Sequence, residues 1–134
     1  VSRSSRVGAA APPWVAVLLD TALVVVFVAI GRRSHDEDAA LLGFLVTLWP
    51  FLVGALAGWL VAAALRRPLA AVVPSGLVVW GASVLLGMVL RVLSGQGVQP
   101  SFVLVTAVVL GVFLVGWRAV ASLVQRLRGR RSAA

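Results

Sequence analysis

Four long apolar runs, separated by short polar segments, decide what this chain can become. They cover roughly residues 14–30, 39–65, 69–93 and 101–124. A helix needs about 20 apolar residues to cross the hydrocarbon of a bilayer, and each run reaches or approaches that length. In lipid the backbone must satisfy its own N–H and C=O groups, so each run is expected to be a helix. The period-two alternation of a barrel strand is absent. The expected fold class is therefore all-α: a polytopic integral membrane protein with four transmembrane helices in a compact up-down bundle. The whole chain, 1–134, reads as a single membrane domain with short basic tails at 1–13 and 125–134. Composition supports this. Of 134 residues, 61% are hydrophobic and 12% charged, and a water-soluble core of this size cannot hide so much apolar surface.

Charge is informative by position. The formal net charge is +8, and all twelve basic residues are arginine. Arg3, Arg6, Arg66, Arg67, Arg126, Arg128, Arg130 and Arg131 flank the spans on one side; Arg32, Arg33 and Arg91 flank them on the other. The excess of arginine on cytoplasmic loops places both termini in the cytoplasm. The basic balance thus speaks for a lipid bilayer as partner, and no nucleic-acid motif accompanies it. With no cysteine and no lysine, thiolate metal sites, disulfides and Schiff-base chemistry are excluded. No cofactor is expected.

The polar segment GRRSHDED, residues 31–38, holds three of the four acidic residues and the single histidine. Gly31 follows a helical run where a left-handed C-cap belongs. Ser34 and Glu37 have the spacing of a capping box that would start the next helix. A metal site built on His35 with Asp36 and Asp38 is disfavoured, because catalytic zinc takes three protein ligands and neighbouring residues diverge. Arg32, Arg33 and His35, with Arg91, remain as a candidate outer mouth or as interface anchors.

Charges inside the spans are costly and must find partners. Asp20 lies about 9 Å inside the first run and Arg118 about 9 Å inside the fourth, which runs the other way. The two are expected to pair. Thr47, Ser83 and Thr106 form a candidate polar path. Pro50 is expected to kink the second helix and free carbonyls. Gly54 with Gly58, and Ser83 with Gly87, form small-xxx-small faces for helix packing, within the bundle or in a dimer. Trp14, Trp59 and Trp117 read as an aromatic belt near the inner edge, and Trp49 and Trp80 as packed residues.

These residues also carry a resemblance. Asp20, the GR-x-SH group at Gly31, Arg32, Ser34 and His35, Thr47 with Pro50-Phe51, Gly87-Met88 with Arg91, Ser101-Phe102-Val103 and Gly116-Trp117-Arg118 follow one another in a pattern similar to the domain of unknown function 3054 family of small prokaryotic membrane proteins. The resemblance implies a four-span architecture and attaches no activity or catalytic residue.

Two functional readings stand. The leading one is a small-solute or ion carrier or channel-like protein with a polar path through the bundle. The alternative is a structural or accessory subunit of a larger membrane complex. Either is compatible with a homo-oligomer. An enzyme is not expected, since no nucleophile and base share a recognisable spacing.

Overall fold

The computed structural model describes residues 11–32 and 40–132. Arg33, Ser34, His35 and Glu37, and with them the capping box, lie outside the described residues. The fold is all-α. Among the described residues four helices are long and apolar enough to cross a membrane, and they alternate in direction along the chain.

Helix α1 spans Pro13–Gly31, with Pro12 as N-cap and a proline at its first position. Proline suits that place because the first N–H groups have no intrahelical partner and its φ is already set. Gly31 is the last helical residue of α1 and not the expected left-handed C-cap, a place taken by Arg32 at φ −100°. Helix α2 spans Ala40–Ala64 and runs through Pro50 without a break in its helical assignment. It closes with Arg66 in the left-handed region (φ 56°) and an Arg67 N–H donated to the Ala62 carbonyl at 3.1 Å, the hydrogen bond that ends a helix in a Schellman turn.

The third span differs from the apolar run in the sequence. Regular helix α3 covers only Leu77–Leu93. Before it, a wide π turn at Val72–Gly76 contains Val73 in an extended conformation. Residues 68–71 fold back over this turn. The Pro68 carbonyl accepts from Ser75 Oγ at 2.6 Å, and the Ala71 carbonyl from the Gly76 amide at 2.9 Å. Hydropathy does not see this distinction, since Leu69, Ala70 and Ala71 are apolar whether helical or not. Helix α4 runs continuously over Pro100–Ser132, with a π turn at Gly111–Val115. Residues 125–132 of the basic tail thus continue the helix.

The small-residue faces pack inside the chain. Gly54 sits on the backbone of α3: a Cβ there would lie 2.8 Å from Ser83 Cα, and one at Gly58 would lie 2.7 Å from Val79 Cα. Gly87 receives the Phe51 ring in the same way. Without side chains at these points, α2 and α3 approach to backbone contact, which is how helices gain dispersion energy in lipid. The core runs through Val24, Phe27, Phe51, Ala55, Val79, Leu110 and Leu114, with Phe27 and Phe51 edge to face at 5.5 Å between centroids.

Pro50 does free a carbonyl, and a loop group takes it up. Proline has no N–H, so the carbonyl four residues earlier, on Val46, loses its helical partner. That carbonyl instead accepts from Gln96 Nε2 at 3.0 Å. Gln96 is held in place by Arg91, whose Nη1 donates to Gln96 Oε1 at 2.8 Å. Gly95, at φ 80°, supplies the left-handed turn that ends α3 and delivers Gln96 to this point. The gap in the α2 ladder is filled by the loop that joins α3 to α4.

Candidate functional site: a buried carboxylate–arginine cluster

Asp20 of α1 and Arg118 of α4 meet in the half of the bundle nearest the α2–α3 connection. Their side chains are both 0% exposed and form a two-pronged ion pair. Arg118 Nη1 donates to Asp20 Oδ1 and Nη2 to Oδ2, each at 2.7 Å. Two tryptophans complete the carboxylate. Trp117 Nε1 donates to Oδ1 at 2.8 Å and Trp59 Nε1 to Oδ2 at 2.9 Å. A carboxylate has about four acceptor directions, and here all are taken.

The arginine uses four of its five N–H donors. Its Nε donates to the Leu69 carbonyl at 2.8 Å and Nη1 also donates to Leu114 at 2.7 Å. The guanidinium lies 4.6 Å from the centroid of the Trp117 ring. Local structure explains how these groups converge. The folded-back segment before α3 turns the Leu69 carbonyl inward, because that residue is outside any helix. Gly76 lets the arginine stem pass, since a Cβ there would stand 2.9 Å from Arg118 Cδ. The π turn of α4 ends two residues before Trp117 and contains Leu114; such turns release carbonyls from the regular ladder. A buried ion pair offsets its desolvation only when the remaining donors and acceptors are also satisfied, and this cluster comes close, with the carboxylate filled and four of the five arginine N–H groups paired.

The tryptophans are where the reading from sequence fell short. Trp59 and Trp117 point inward to Asp20 instead of anchoring in the interface, while Trp14 is 64% exposed. Their depth was legible; their direction was not. One signal was available: Trp117 adjoins Arg118, and Trp59 lies at the depth of Asp20. Trp49 is 39% exposed, so it faces outward more than the packing expectation held. Trp80 does pack, donating its Nε1 to the Ala107 carbonyl at 2.9 Å.

The other candidate residues do not join this cluster. Thr47 Oγ1 accepts from Arg32 Nη1 at 3.0 Å and donates to the Gly43 carbonyl at 2.9 Å. Ser83 and Thr106 are both fully buried, and among the described residues neither hydroxyl has a hydrogen-bond partner. Among the described residues no hydrogen bond links Thr47, Ser83 and Thr106 into a chain. At the opposite end of the bundle from the cluster, Arg32 turns to Thr47. Arg91 turns to Gln96, to the Gly97 carbonyl at 3.0 Å and to the Phe102 ring at 4.5 Å. The two arginines share no hydrogen-bond partner among the described residues.

A family model described as "Protein of unknown function (DUF3054)" matches residues 17–121. That span includes Asp20, both tryptophans and Arg118. No curated protein and no solved structure matches the chain.

Proposed function

The chain belongs to the DUF3054 family, whose description attaches no activity, and from the geometry we propose that it is a structural or accessory subunit of a larger membrane complex. The observation that carries this reading is the saturation of Asp20. A carboxylate that moves protons or cations must exchange partners with a water-accessible path. Asp20 has four donors and no exposed surface. Its partners come from two helices, α2 and α4, so with its own α1 it ties three helices together. A carboxylate held this way serves as a structural tie.

The protein resides in a prokaryotic inner or plasma membrane with both termini cytoplasmic. Support comes from Arg66, Arg67, Arg126, Arg128, Arg130 and Arg131 gathering at one end of the bundle. Mild-detergent pull-down followed by mass spectrometry tests the subunit reading. A foreign membrane protein at fixed stoichiometry is expected. Recovery of this chain alone, with solute or ion flux from reconstituted vesicles, overturns it.

A second reading, a small-solute or ion carrier, has one observation in its favour. Ser83 in the middle of α3 and Thr106 in the second turn of α4 bury hydroxyls without partners among the described residues, and a passing solute or water would satisfy them. Ser83→Ala and Thr106→Ala abolishing such flux would support it.

A further inference from the structure

At the end of the bundle away from the Asp20 cluster, a cavity of about 340 Å³ opens between α1, α2 and the start of α4. Its chemistry is divided. One part is polar: the Arg32 guanidinium, the Thr47 hydroxyl and Ser101. The other is apolar: Phe27, Val28, Phe102 and Val105. Val105 is 54% exposed, so the apolar part opens sideways onto the flank of the bundle, where a bilayer presents acyl chains.

The polar part is built for an anion. Thr47 takes one of the five N–H donors of Arg32, and among the described residues no other acceptor takes a second. Gly43 gives the guanidinium its place, since a Cβ there would collide with it. The start of α4 adds donors. Its N-cap residue Gln99 makes no side-chain cap, and Pro100 has no N–H. The first helical hydrogen bond runs from the Val103 amide to the Gln99 carbonyl. The Ser101 and Phe102 amides therefore stand without helical partners at the lip of the cavity, where a helix start favours negative charge. Arg91, 4.5 Å from the Phe102 ring centroid, adds a second positive charge nearby.

Depth selects the source of the anion. Arg32 follows the last residue of α1 and Ser101 is the second residue of α4, so the polar part lies at the span boundary, the level of lipid headgroups. We propose that this cavity binds the phosphate of an anionic lipid, with the first stretch of one acyl chain laid against Phe27, Val28, Phe102 and Val105. The volume falls at the low end of small-molecule sites. It admits a headgroup phosphate and part of one chain, and leaves the rest of the lipid in the bilayer. The arginine fork and two amides match phosphate oxygens. The inference is independent of whether the protein is a subunit or a carrier.

Native mass spectrometry of the full chain in mild detergent tests this, with phosphatidylglycerol and phosphatidylcholine as probes. The unmodified protein should retain phosphatidylglycerol at concentrations about tenfold below those needed for phosphatidylcholine, the order that one charge-assisted hydrogen bond contributes. Arg32→Gln should remove the preference. Val105→Trp, which fills the apolar part, should weaken both lipids. Equal retention of the two lipids by the unmodified protein, or a preference that survives Arg32→Gln, overturns the proposal. So does displacement of phosphatidylglycerol by excess inorganic phosphate, which would mean that a free anion suffices. If either variant does not fold, a phosphatidylglycerol carrying a photoreactive group on its acyl chain decides the matter on the unmodified protein. Crosslinks in the peptides containing Phe27 and Phe102 are expected, and crosslinks confined to other spans overturn the site.

Discussion

Removing either partner of the Asp20–Arg118 pair leaves the other as an uncompensated buried charge, and such losses typically cost about 3–5 kcal/mol. Asp20→Ala and Arg118→Ala should each lower thermal stability in detergent by that order. The double variant should recover part of the loss, because neither charge then remains. A double variant no more stable than the sum of the singles would show that the two do not act as a pair. Trp59→Phe is the finer probe. It keeps an aromatic ring, though a smaller one, and deletes one donor to the carboxylate; the lost hydrogen bond to a charged group alone should cost about 1.5–3 kcal/mol, and the lost ring atoms add to it. A neutral result, by the same melting measurement, would place Trp59 outside the working cluster. The ion pair could be read from sequence because matched depth on antiparallel spans needs only counting. The tryptophan donors could not, because a tryptophan at that depth serves equally well as an interface anchor, and only the rotation of its helix separates the roles.

At the level of elements, the carbonyl left open by Pro50 links α2 to a loop far away in sequence. Gln96→Ala should destabilise the protein by about 0.5–1.5 kcal/mol, the usual net value of one hydrogen bond. In a Pro50→Ala background the Val46 carbonyl regains an N–H from its own helix, so the same Gln96→Ala change should then cost less. A melting-temperature cycle over the four proteins measures this coupling; strictly additive effects would show that Gln96 does not act through the open carbonyl. The presence of four apolar helices was legible because hydropathy sums over many residues and tolerates local error. The start of α3 was not, because the residues before it are apolar in either conformation. What bends them is a set of contacts, Ser75 to Pro68 and Arg118 to Leu69, that no local window contains. Gln96 escaped notice for the same reason: the proline announces a missing N–H, and nothing near it says which group will replace it.

For the whole molecule, the proposed orientation makes a simple prediction. A reporter fused after Ala134 should be active only in the cytoplasmic form, and activity outside the cell would reverse the assignment of both ends. The sequence held that expectation in its arginine distribution, whereas the closing of the bundle through its first and last spans emerges only in three dimensions. That closure joins residues 98 positions apart, and it has a temporal side. A ribosome adds about 5–20 residues per second, so Asp20 enters the membrane several seconds before Arg118 exists. During that interval the nascent chain carries an acidic group inside lipid with only Trp59 to shield it. Any product that stops short of the fourth span remains in that state. Chains truncated before Trp117 should therefore disappear rapidly in a pulse-chase experiment, and Asp20→Asn should lengthen their lifetime. The first carboxylate then acts as a marker of unfinished synthesis, erased only when the last helix arrives.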